Sequence, residues 1–193
     1  MSRRLLSFTR TGRILLVFAL FAQLLSTATA FINGQDAGLV LGQPNFTSRA
    51  LPTTASGMNG SFSMTVDPTS GKLFVADARN NRVLRFASGA ALANGAAAEG
   101  VLGQADFTSS VQATTAGGMN GPTGVAVDSA GRLWVADEYN NRVLRFDGAV
   151  AKANGANADG VLGQPDFTSN APAATAGGMF FPIGVAVDST GRL

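Results

Sequence analysis

Two carboxylate and guanidinium pairs recur at a fixed spacing of five residues: Asp77 with Arg82, and Asp137 with Arg142. Such a pair could move a proton or hold a charged substrate. Placed across a tight turn it makes a charge-assisted hydrogen bond that fixes the turn. Catalysis needs one site and not a copy per repeat, so Asp77, Asp137, Arg82 and Arg142 are read as structural. Asp67, Asp128 and Asp188 each stand a few residues ahead of a glycine. There an Asp side chain bonds the turn backbone, and these three are read as turn formers. Between each recurring Asp and the following pair of asparagines the residues differ: Ala78 and Arg79 in one place, Glu138 and Tyr139 in the other. What does not repeat is free to serve a ligand. Arg79, Glu138 and Tyr139 are therefore the candidate ligand contacts.

Other chemistry is excluded by composition. The chain has no His and no Cys, which removes histidine triads, histidine zinc sites and disulfide scaffolds. No run of alternating oxygen ligands resembles a calcium loop. No catalytic residue, metal site or cofactor is expected. The formal charge of +2 is misleading, because Arg3, Arg4, Arg10 and Arg13 all fall in the first thirty residues, which hold no acid. Beyond them ten basic residues face twelve acidic ones. No basic patch for phosphates follows, and nucleic acid is not an expected partner.

Residues 1–30 have the form of an export signal: a basic start, the apolar run ILLVFALFAQLL from Ile14 to Leu25, and a small-residue close at Ala28, Thr29 and Ala30. Cleavage before Phe31 and a secreted, periplasmic or extracellular location are expected. The alternative is an uncleaved anchor, the only way this chain would meet a membrane. Its apolar stretch is short for a hydrocarbon core of about 30 Å. Ser2, Arg3 and Arg4 also resemble a twin-arginine signal.

The elements that must position the candidates emerge from self-comparison. VLGQPNF at Val40 returns as VLGQADF at Val101 and VLGQPDF at Val161, 61 and 60 residues on. GKLFVADARNNRVLRF from Gly71 to Phe86 matches GRLWVADEYNNRVLRF from Gly131 to Phe146, and a third start, GVAVDSTGRL, opens at Gly184. A period of this size marks a repeat whose unit cannot bury its faces alone. Within the second copy four strands are predicted, at Gly124–Asp128, Arg132–Ala136, Arg142–Phe146 and Gly160–Gln164. Turns are expected at Asp128–Gly131 and Asp137–Asn141, with Asn154 and Gly155 punctuating a longer third connection. The Ala-rich piece Ala87–Ala98 offers at most a helical turn, interrupted by Gly89 and Gly95. GVAVD and LWVAD are apolar on both faces, as in a sheet packed between two neighbours. Four strands per repeat and no crossover helix predict an all-β chain. The expected architecture is a partial β-propeller of four-stranded antiparallel blades, about two complete and others partial.

The expected organisation is a signal at 1–30, a closing strand and loop at 31–59, blades at 60–104 and 105–164, and the start of a third at 165–193. The stretch GPTGVAVDSAGRLWVADEYNNRVLRF, Gly121 to Phe146, resembles the NHL repeat family. That resemblance implies a propeller whose terminal VLGQ strand closes the last blade. A six-bladed ring of such repeats needs roughly 360 residues, so the chain is expected to be a fragment. In the first copy Ser61 and Phe62 stand where the second has Pro122 and Thr123, so the start of its first strand is expected to differ. Phe46, Phe107 and Phe167 are expected to pack between blades.

The resemblance is specific for fold and nearly silent on function. The resemblance implies that similar lyases and hydrolases rely on histidine or metal sites in the central cavity, and this chain has no histidine. The favoured function is a binding or scaffold module for a protein or carbohydrate ligand. The alternatives are an enzyme with its active residues in further blades, and a structural surface protein. Asn45 in NFT and Asn59 in NGS are glycosylation sequons.

Overall fold

Strand β2, Lys72–Asp77, shows what the repeat encodes. Its successive side chains point to opposite faces. Leu73 and Val75 enter one apolar cluster, while Phe74 and Ala76 enter another. A strand apolar on both faces is thus covered on both, as the run LFVA requires.

The computed structural model describes residues 32–193. The proposed export signal and its cleavage point lie outside the described residues. The chain divides into Met1–Ala37 and Gly38–Leu193. In the first unit Ile32–Gln35 closes a turn through Gln35 N–H to Ile32 O, 3.2 Å. The second unit holds all the strands among the described residues. β1, Ser61–Val66, β2, β3, Arg82–Ser88, and β4, Gly100–Leu102, form one antiparallel sheet in chain order. β5, Pro122–Val127, β6, Leu133–Asp137, β7, Arg142–Phe146, and β8, Gly160–Leu162, form a second with the same order. The protein is therefore all-β, with two four-stranded meanders of the kind that make propeller blades.

The larger apolar cluster lies between the sheets. Phe74, Ala76 and Val83 of the first meet Val125, Leu133, Val135, Leu144 and Phe146 of the second, with Met119 from the loop before β5. Polar hooks fix the sequence neighbours. Asn154 Oδ1 accepts the Val101 N–H at 3.0 Å and Gly155 N–H donates to Val101 O. Asn94 and Gly95 do the same to Val40. Arg85 reaches across from β3 to donate to Ala149 O and Lys152 O, each at 2.9 Å.

Several expectations shift. β5 starts two residues before Gly124, and β6 takes in Asp137, which pairs with Arg142 in the ladder instead of opening the turn. Val40–Gln43, expected as a closing strand, is not a strand and bends from Leu41 on, since no strand among the described residues pairs with it. Gly184–Asp188 is likewise not a strand, although its turn is closed by Gly191 N–H to Asp188 O and Asp188 N–H to Arg192 O. The Ala-rich connection holds one 3-10 turn, Gly89–Ala91. Phe107 and Phe167 pack against the two clusters, but Phe46 is 54% exposed because no cluster forms around it. Both first strands start irregularly: the ladder slips between Ser61 and Ser63 in β1, and between Pro122 and Val125 in β5. Their burial differs, as Phe62 is exposed and Thr123 is buried.

Candidate functional site

Each β2–β3 and β6–β7 connection is a 3-10 turn, Ala78–Asn80 and Glu138–Asn140. It ends on an asparagine in the left-handed region, Asn81 at φ 53° and Asn141 at φ 51°. Asparagine enters that region more readily than other side-chain-bearing residues. Both asparagines also bridge to the next repeat. Asn81 Nδ2 donates to Ser110 O and its Oδ1 accepts Gly121 N–H. Asn141 treats Asn170 O and Phe181 N–H alike.

Beneath each turn lies the recurring ion pair. Arg142 Nε donates to Asp137 Oδ2 at 2.7 Å, and both side chains are fully buried. Asp137 also accepts Asn140 Nδ2 at 2.8 Å and Asn120 N–H at 2.7 Å. The remaining guanidinium donors go to Phe167 O, Thr115 O and Gly118 O. Burial pushes the Asp137 carboxyl above its ordinary range, against the pull of Arg142, Asn120 and Asn140. In the first copy Arg82 binds Asp77 at 2.8 Å and reaches Phe107 O, Thr54 O and Gly57 O. Each guanidinium thus ties its own turn to loops before and after it. A pair so enclosed has no face turned to a ligand.

The turn aspartates behave similarly. Asp67 Oδ1 accepts Thr69 N–H, Ser70 N–H and Ser70 Oγ. Asp188 accepts Thr190 N–H, Thr190 Oγ1 and Arg192 N–H. Asp128 accepts Ala130 and Arg132 N–H on one oxygen, and Arg132 Nε and Trp134 Nε1 on the other. Burial alone would raise Asp128, but the bonds from Trp134 and Arg132 outweigh it and the carboxyl is lowered. Among the described residues no group of three or more acidic, His or Cys side chains could hold a metal ion.

The residues that do not repeat converge. Arg79 of the first copy and Glu138 and Tyr139 of the second line one cleft of about 370 Å³. Two glycines shape it. Gly60, φ 69°, leaves room for the Arg79 stem, which a Cβ would meet at 3.1 Å; at Gly121, φ 64°, a Cβ would strike the Tyr139 ring at 2.5 Å. Sequence reasoning singled out these three side chains without the reason they meet, which is that each turn leans over the start of its own copy's first strand while neighbouring copies stand side by side. It missed Gln112, Asn120 and Thr123, which also line the cleft. The signal for Thr123 was available: Phe62 and Ile183 occupy its place in the other copies.

Phe181 was missed as well. It stands where the other copies have Gly60 and Gly121, keeps a positive φ of 46°, and sets its ring edge-on to Tyr139 at 5.9 Å. Of the two sequon asparagines, Asn45 is exposed and Asn59 is half-buried, donating its N–H to Asp77.

Among curated proteins none matches this chain. Residues 119–146 match the family model described as NHL repeat, the stretch that contains β5, β6, the Glu138–Asn140 turn and β7.

Proposed function

We propose that this protein is an exported propeller-type binding module whose ligand, a protein or a carbohydrate, enters the cleft between its two blades. The NHL repeat and the four-stranded blades support the coarser reading of a binding or scaffold module. One observation carries the finer one. In the two turns the recurring Asp and Arg are enclosed in a buried ion pair and in bonds to the backbone, whereas Arg79, Glu138 and Tyr139, which differ between copies, share a single cleft. Export rests on the leader at residues 1–30, and N-terminal sequencing of the exported product is expected to begin at Phe31.

The binding reading is tested with the double variant Arg79→Ala/Tyr139→Ala, screened beside wild type against a displayed peptide library and an immobilised glycan panel. Binders retained by wild type and lost by a normally melting variant are expected. Binders held equally by both proteins would place the site elsewhere.

A further inference from the structure

We infer that the cleft takes a neutral carbohydrate; this rests on the reading of the cleft as a ligand site. Its two charged side chains, Arg79 and Glu138, cancel, so no net field selects a polyanion or a polycation. The other polar side chains lining it are the amides of Asn81, Gln112 and Asn120 and the hydroxyl of Thr123. Guanidinium, carboxylate and amide groups suit a ligand whose hydroxyls both donate and accept.

Thr123 supplies the most specific indication. The residue is 2% exposed, and its Oγ1 has no hydrogen-bond partner among the described residues. A buried hydroxyl without a partner is rare and calls for an explanation. The repeat does not require one here, since Phe62 and Ile183 fill the equivalent positions with apolar groups. Oγ1 is closed to solvent as it stands, so a sugar hydroxyl donates to it or accepts from it once a side chain lining the cleft moves aside.

The aromatic side of the cleft complements this. Tyr139 is 54% exposed and lies across the Gly121 backbone, steadied at one edge by Phe181. Phe181 meets Phe180 edge-on as well, at 4.7 Å between ring centres. A phenylalanine held at positive φ where two other copies use glycine is a backbone outlier, and such outliers gather at ligand clamps. A steadied, exposed ring offers an apolar surface to the C–H face of a pyranose, while the polar groups meet its hydroxyl rim. A peptide docking as an added strand or as a helix is disfavoured, because those modes need an exposed strand edge or a helix groove and the cleft lining contains turn residues and strand starts.

The test exploits the single tyrosine of the chain. With ring-labelled tyrosine, the full chain gives one set of Tyr139 signals. It is titrated with neutral tetrasaccharides of glucose, galactose, mannose, xylose and N-acetylglucosamine, and with tetragalacturonate and a neutral hexapeptide for comparison. At least one neutral tetrasaccharide is expected to shift the Tyr139 signals saturably. Thr123→Val is expected to weaken that binding by roughly tenfold, while Thr123→Ser stays within about twofold, the scale of one hydrogen bond. Thermal melting of both variants separates lost binding from lost folding. If only the peptide or the charged sugar moves Tyr139, or no ligand of the panel does, the carbohydrate inference is overturned and the cleft reading stands on the screen above. If a neutral sugar binds without moving Tyr139, and Tyr139→Ala binds it equally, both fail.

Discussion

The turns Ala78–Asn80 and Glu138–Asn140 share a backbone and differ at their tips. Both stand on a buried Asp and Arg pair, both end on a left-handed Asn, and both are tied to the next repeat through that Asn. Yet one presents Arg79 and the other Glu138 and Tyr139. The comparison separates two jobs within a few residues of chain. The recurring Asp and Arg are spent on each other and on backbone carbonyls and amides, and the tip side chains that differ line the cleft.

The largest expected effect attacks the recurring part. Arg142→Ala removes one buried ion and four hydrogen bonds, and strands Asp137 in the interior. Breaking a buried pair by deleting one partner costs about 3–5 kcal/mol. Equilibrium denaturation is expected to show a loss of that order, with Arg82→Ala behaving alike. A near-neutral Arg142→Ala would sever the link between recurrence and structure.

Next comes Asn141→Ala. It loses the bonds to Asn170 O and Phe181 N–H and leaves at φ 51° an alanine, which lacks the polar side chain that lets asparagine settle in the left-handed region. About 1 kcal/mol for lost hydrogen bonding adds to about 1–2 kcal/mol for the left-handed backbone. Asn141→Gly removes only the first contribution, so denaturation should place it between wild type and Asn141→Ala.

The parts of this comparison were unequally legible in the sequence. Apolar residues on both faces of LFVA and LWVA, and the fixed repeat, gave the blades and their order, because sheet packing is written in local pattern. The pairing of Asp137 with Arg142 was legible as a spacing, but the carbonyls it holds were not, since Phe167 O and Thr115 O belong to distant loops. Gln104 shows the same limit. It recurs in VLGQ, and only the fold reveals that its Nε2 clamps Asn81 O and Val111 O. Strand identity at Val40 and Gly184 depended on neighbours that no local pattern supplies. In the cleft, Arg79 could be matched to Tyr139 as an equivalent position, but not as a neighbour.

A smaller effect appears in acid. Side-chain and backbone bonds from Thr108 and Ser109 hold Asp106 at about 2, against an ordinary 3.8. Bonds from Thr168 and Ser169 do the same for Asp166. A carboxyl depressed in the folded state contributes stability that is present above its unfolded value and is lost as pH falls through its folded one. The loss should therefore run from near pH 4 down to about 2. In the first copy Asn45 makes the same turn with Thr47 and Ser48 without a titrating group. Asp106→Asn/Asp166→Asn should keep the turns and flatten the stability curve in that window, as read by denaturation at stepped pH. An unchanged acid slope would assign it to other groups.

The smallest expected effect is that of the tip itself. Tyr139→Ala changes an exposed ring whose packing partner is Phe181. Its cost should stay within about 1 kcal/mol, the scale of one aromatic pair, by the same denaturation measurement.

The division of labour is tested most directly by giving the second turn the tip of the first, through Glu138→Ala/Tyr139→Arg, and measuring its denaturation midpoint beside wild type and Arg142→Ala. The new arginine stem can lie over Gly121 as Arg79 lies over Gly60. The midpoint is expected to remain close to wild type. A fall comparable to that of Arg142→Ala would show that the differing residues also hold the fold, and would contradict the account.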